Sequence, residues 1–329
     1  DTIKRSKVEI VVRKIMYCGK GKDSTMEKDR INILSHLDCY QASVQLVCKS
    51  MNKNYWNMFV NSWDFNYNYG RKKIMLTKSY NEYLDSFDFS YLGLSEIEIL
   101  KSDNNLHTLK QYIDKYKMMV VCTSDGLDTF WHSYVIVGYL ENGLWFLDPY
   151  YNELNKTPLV EGSLENELKK ATFYCFCEND CFDDLDISTL FKSIRSKEVE
   201  IKENIRAILK FGQDISQMNI LSELFDYDDI YSCTIIRGLK VVTDGRFQMG
   251  YLIEQLRKKE LRDDERIRNV CDLFYETGNL WSNVRNAVIR IFYNSKYFDR
   301  AKKKIELDIS NIILKENTIF DIIKSYRAL

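Results

Sequence analysis

A thiol, an imidazole and a carboxylate occur in this chain of 329 residues, each in a local setting that suits nucleophilic chemistry. Cys39 lies in LSHLDCYQASVQLV, directly after Asp38; His132 heads the run HSYVIVGYL; Asp148 ends GLWFLD, directly before Pro149. A cysteine thiolate attacks carbonyl carbon, and a neighbouring imidazole moves the proton. A carboxylate on the far ring nitrogen fixes the tautomer and stabilises the imidazolium. The three together point to acyl transfer through a Cys39 acyl-enzyme.

Such residues act only if the chain holds them in place. Asp38 is suited to cap a helix, with Gln41 three residues on as its reciprocal partner, and Ala42, Leu46 and Val47 give that helix an apolar stripe. Cys39 then falls in the first turn, where free N–H groups and the helix dipole favour a thiolate. His132 starts an alternating strand with Tyr134, Ile136 and Gly138 on one face and Val135, Val137 and Tyr139 on the other. Glu141-Asn142-Gly143 supplies the Asn-Gly pair of a two-residue type I′ turn, and residues 144–147 form the return strand, closed by Pro149. The hairpin should bring His132 beside Asp148.

Other candidates have plainer roles. Cys48, nine residues along the same helix, and Cys122, in MMVVCT, read as core; His107 reads as a solvated helix residue. Cys175, Cys177 and Cys181 lack a fourth nearby ligand, and strand alternation accounts for the first two, so no metal is expected. Aromatics crowd residues 55–69. Trp56, Phe59, Trp63, Phe65 and Tyr67, with Trp131, are candidates for an apolar pocket that holds an acyl group and keeps water from it.

Nine cysteines without a repeating framework fit a reduced, cytoplasmic protein, and a net charge of −1 gives no reason to expect nucleic acid or a membrane surface as partner. No apolar run reaches the roughly 18 residues of a bilayer span. The organisation expected is a strand segment over 1–24 (with a strand over 8–16), a catalytic domain over 25–178, and a helical domain over 182–329. Within the second, a short helix over 163–170 should precede a closing strand over 172–177. In the third, Trp281, Val284, Val288 and Ile291 recur at helical spacing, as do Ile309, Ile312, Ile313, Phe320 and Ile323, while RKKELRDDERIR reads as a solvated helix surface. The fold class is α+β.

The pairing of LSHLDCYQASVQLV with HSYVIVGYLENGLWFLDP resembles the papain-like cysteine-protease fold of the C39 peptidases, and more closely the cysteine-protease-like N-terminal module of the butirosin biosynthesis protein H family. The resemblance spans residues 25–178 and matches Asp38, Cys39, His132, Asp148 and Pro149. It implies a helix bearing the cysteine and an antiparallel sheet bearing the histidine and aspartate. Where C39 peptidases carry an oxyanion-hole glutamine this chain has Ile33, so the Cys39 backbone N–H with Asn32, Ser35 or His36 is the candidate donor set. Members in natural-product assembly lines imply an amide-forming acyltransferase. It would draw an acyl or peptidyl chain from the phosphopantetheine thioester of a carrier protein and pass it to a small amine, with no bound cofactor. A cysteine peptidase with the same triad, and a non-catalytic binding protein on the same fold, are the alternatives.

Overall fold

The computed structural model describes residues 36–70, 73–76, 89–99, 105–124, 131–140, 143–148, 153–155, 171–179, 185–217, 224, 227, 229–230 and 233–326. The expected strand over 8–16 and helix over 163–170 lie outside them, as do Asn32, Ser35 and Cys181. In chain order the elements begin with helix α1 (Cys39–Ser50), a 3-10 turn (Tyr55–Phe59), strands β1 (Asn68–Gly70) and β2 (Lys73–Met75), and a second 3-10 turn (Phe89–Leu92). Strand β3 (Leu94–Ile99), helix α2 (Leu106–Tyr116) and strands β4 (Met119–Ser124), β5 (Trp131–Leu140), β6 (Gly143–Asp148), β7 (Glu153–Asn155) and β8 (Thr172–Glu178) follow. Helices α3 (Ile187–Ser196), α4 (Glu198–Gln217), α5 (Thr234–Lys259), α6 (Glu265–Tyr293) and α7 (Phe298–Ser325) complete the chain.

The architecture is α+β, and the chain divides into two units. One takes Asp1–Tyr55 and Phe89–Asp183; the other takes Trp56–Asp88 and Asp184–Leu329.

The first unit is built on a six-stranded antiparallel sheet in the order β3-β8-β4-β5-β6-β7. The last strand in sequence, β8, inserts between β3 and β4, with Met119 opposite Cys175. Helix α2 covers one face: Leu109 and Ile113 pack with Met119, Val121, Ile136, Phe173 and Cys175. Helix α1 lies against the other, where the Tyr40 ring meets Tyr174 edge-on at 6.2 Å. Both faces of β4 and β8 are therefore dry, which is why MMVVC and TFYCFC are continuous apolar runs rather than alternating ones.

The helical unit differs from the expected 182–329 domain in one respect. It also includes the excursion 56–88, which begins six residues after α1 ends. Phe65 stacks on Trp281 at 5.3 Å and leans on Phe211, and Phe59 meets Tyr251 edge-on at 6.4 Å. Helix α5 is notched to receive this segment. A Cβ on Gly245 would come within 2.4 Å of the Ser62 carbonyl oxygen, and one on Gly238 within 2.6 Å of Leu76 Cβ. These two glycines are seven residues, or two turns, apart and so share one side of the helix. Arg246, beside Gly245, is buried and ties three elements together. It donates to Glu316 of α7 at 2.8 Å and to the Asp64 carbonyl at 2.6 Å, while the Trp63 indole donates to the other Glu316 oxygen.

The later helical periodicities are core positions as expected, with Trp281, Val284, Val288 and Ile291 fully buried. RKKELRDDERIR is not one helix surface. It holds the end of α5, a turn through Leu261 at φ +52°, and the start of α6, where the Asp264 side chain accepts from the Arg266 N–H at 2.8 Å.

Candidate active site

Cys39 is the first residue of α1 because Asp38 ends the preceding extended segment and caps the helix. The Asp38 carboxylate accepts from the Gln41 N–H at 2.8 Å, and the Asp38 N–H donates to the Gln41 side chain at 3.1 Å, which is the reciprocal capping box expected from the sequence. The next residue, Tyr40, fixes this turn against the sheet. Its ring is buried and its hydroxyl donates to Glu96 of β3 at 2.5 Å. Burial, followed by the charge and hydrogen bond of Glu96, raises the Tyr40 pKa well above 10.0, so the hydroxyl stays protonated and remains a donor.

His132 and Asp148 come from the hairpin, though not by the register expected. Gly143 is not a turn residue: it pairs with Leu140, and the pairs Tyr139–Leu144 and Gly138–Trp145 follow. Continued without interruption, that ladder would set Asp148 opposite Val135, on the side of the sheet away from His132. A bulge between Ile136 and Gly138 resets it to Ile136–Phe146 and Val135–Leu147. One step further, Asp148 stands opposite Tyr134 and shares a side with His132. The same bulge moves Tyr139 to the side of Tyr134 and Ile136, contrary to strict alternation, and its hydroxyl donates to Asp114 of α2 at 3.0 Å.

The three side chains meet at the end of the sheet where β5 starts, β6 finishes and α1 begins. His132 Nε2 lies 2.7 Å from Asp148 Oδ2, with the histidine side chain 26 % exposed and the aspartate 6 %. The His132 side chain is also hydrogen-bonded to Cys39. Burial alone would lower the imidazole pKa. Hydrogen bonds to Asp148 and Cys39, with the charges of both, outweigh it and raise the value from 6.5 to about 9. The ring is therefore an imidazolium at neutral pH, the partner a thiolate needs. Cys39 is half-buried.

Among the described residues, Cys48, Cys122 and Cys175 differ from it in being buried. Cys48 is fully buried and burial pushes its thiol up to about 12; Cys122 is buried, 3.3 Å from the Ser133 hydroxyl. Cys175 is buried, also pushed to about 12, and Cys177 donates to the Ser95 carbonyl from the same strand. His107 is exposed on α2, within 3.1 Å of Gln111. Of the oxyanion candidates, His36 is half-buried in the turn before α1.

Of the six aromatic candidates for a pocket, Phe59, Trp63, Phe65 and Tyr67 are engaged within the helical unit. Phe59 and Phe65 are sealed in the core of the helical unit, Trp63 packs edge-on against Phe274 at 5.1 Å, and Tyr67 donates to Asp214 of α4 at 2.5 Å. Trp56 is half-buried in the 3-10 turn that opens the same excursion. The physical reason is the size of the core around Trp281 and Phe211, which takes large rings from a segment near the cysteine in sequence but belonging to the other unit. Trp131 opens β5, its backbone opposite Ser124. The Tyr40–Glu96 pair was not anticipated. LSEIEI carries no sign that its first glutamate answers a tyrosine 56 residues upstream.

No protein-family model matches this chain, and no curated protein sequence matches it.

Proposed function

We propose that the protein is a cysteine-dependent acyl-transfer enzyme on a papain-like fold, with Cys39 as nucleophile, His132 as acid and base, and Asp148 as the residue that orients His132. One observation carries this: an unbroken hydrogen-bonded series from the Cys39 thiol through the His132 ring to the Asp148 carboxylate, at the start of a capped helix. In the reaction, Cys39 sulfur adds to a thioester carbonyl and the leaving thiolate takes the proton from His132. An amine then attacks the acyl-cysteine, His132 removes its proton, and the amide leaves with Cys39 free again. The backbone N–H of Cys39, at the first position of α1 where the positive end of the helix dipole lies, is suited to the oxyanion. The donor proposed is an acyl or peptidyl chain on the phosphopantetheine arm of a carrier protein, and the acceptor a small amine.

Hydrolysis by the same triad is the second reading, and one observation favours it. Phe65 and Tyr67, two of the aromatic residues expected to shield the acyl-enzyme from water, pack in the helical core instead. The two separate cleanly. With an N-acetylcysteamine thioester as donor, intact-mass spectrometry should find an acyl adduct on the wild-type chain and none on Cys39→Ala or His132→Ala. Adduct decay that accelerates on adding amine supports transfer; decay indifferent to amine supports hydrolysis. A wild-type chain that never acquires the adduct would remove both.

A further inference from the structure

The helical unit contains a groove lined by residues of that unit alone. It lies between the second half of α6 and the first turns of α7 and has a volume of about 730 Å³. The floor is made by Ala287 and Ala301, both buried, whose methyl groups leave the space that larger side chains would fill. Arg290, Arg300, Lys303 and Lys304 line it, against a single carboxylate, Asp299. Such a concentration of positive charge is unusual in a chain whose net charge is −1.

These four cations form no ion pair within 4 Å among the described residues, as is also true of Arg206 and Lys210 on α4, whereas Lys202, Lys240, Lys258, Arg266, Lys315 and Lys324 each form one. Asp308, one turn beyond Lys304, is buried; burial raises its pKa and the charge of Lys304 lowers it. Like charges gathered along one groove repel, and an anion seated between them would relieve that.

The groove limits what the anion is. A nucleic acid needs a basic track over a wide surface, which a pI of about 6.4 does not suggest. A volume within the roughly 300–1,000 Å³ of small-molecule sites suits a compact ligand. One carboxylate would leave most of the positive charge unanswered. Linked phosphates carry several charges and present oxygens that guanidinium forks bind in pairs.

We propose that the α6–α7 groove is a binding site for a small diphosphate-bearing anion, gripped by Arg290 and Arg300 with Lys303 and Lys304 completing its neutralisation. Asn283 and Asn286, exposed on α6, supply further donors. The proposal is independent of the Cys39 chemistry.

Calorimetric titration of the full chain with inorganic pyrophosphate at low salt tests it. Binding tighter than about 1 mM is expected, and Lys303→Glu with Lys304→Glu should weaken it roughly tenfold or more. Both side chains are exposed, so the fold should survive, as the melting temperature will show. The control is Arg206→Glu with Lys210→Glu, an equal charge change on the exposed side of α4, which should leave binding unchanged. ADP that binds as tightly as pyrophosphate would point to a nucleotide-like source; pyrophosphate bound and ADP refused would point to inorganic polyphosphate. Absence of pyrophosphate binding, or equal weakening by the two double variants, overturns the proposal.

Discussion

At the scale of single residues, the site depends on how strongly His132 holds its proton. Its pKa is raised from 6.5 to about 9, so the folded protein binds this proton more tightly than the unfolded chain does. The sign follows from linkage: the stabilisation is complete below about 6.5, decreases as pH rises through the interval, and is gone above about 9. Activity that uses the imidazolium should fall on the same alkaline limb. Asp148→Asn tests the cause, since it removes the charge 2.7 Å from Nε2 while keeping the side chain's size. A drop in kcat/KM on the order of 10²–10⁴-fold is expected, with the alkaline limb moved to lower pH. A pH–rate profile of Asp148→Asn that overlays the wild type would show that Asp148 does not set the imidazole's charge. Most of this was legible in advance, because an N-cap aspartate, a strand-heading histidine and an Asp-Pro strand end are local signals. The bulge at Ile136 and Gly138 was not, since alternation in HSYVIVGYL gives no mark of where one residue is looped out.

At the scale of elements, what aligns the thiol with the ring is the anchoring of α1 on the sheet. His132 and Asp148 sit on neighbouring strands, but Cys39 arrives on a separate helix, and its turn is fixed through Tyr40 to Glu96 of β3 and Tyr174 of β8. Tyr40→Phe keeps the ring contact and deletes only the hydroxyl, leaving Glu96 without its donor. A loss of about 1.5–3 kcal/mol in urea unfolding is expected, as for a hydrogen bond to a charged group. If the hydroxyl also positions the nucleophile, iodoacetamide should alkylate Cys39 more slowly in this variant at temperatures where it is fully folded. An unchanged alkylation rate beside the lost stability would confine Tyr40 to a structural role. Such long-range pairs are invisible to periodicity, which reports which side chains turn inward and not whom they meet.

At the scale of the whole molecule, the two units are interleaved in sequence, and this limits how the chain can be divided. The helical unit needs the excursion 56–88: Phe65 fills space beside Trp281 and Phe211, and Arg246 and Glu316, each 1 % exposed, take their further partners from Trp63 and Asp64. A fragment of residues 184–329 would therefore lack a central aromatic ring, a loss that alone costs about 3–5 kcal/mol in a core. It would also leave the notches at Gly238 and Gly245 empty and the Arg246–Glu316 pair short of its indole and carbonyl partners. The fragment should remain helical by far-ultraviolet circular dichroism but bind a hydrophobic dye and melt without a cooperative transition. Adding a synthetic peptide of residues 56–88 should suppress the dye signal and restore cooperativity. A fragment that melts sharply without the peptide would mean that the helices close on their own and that the excursion is merely attached to them. The converse cut, a fragment ending at residue 183, should aggregate for the complementary reason, because the rings of Phe59 and Phe65 would lose the helices that bury them.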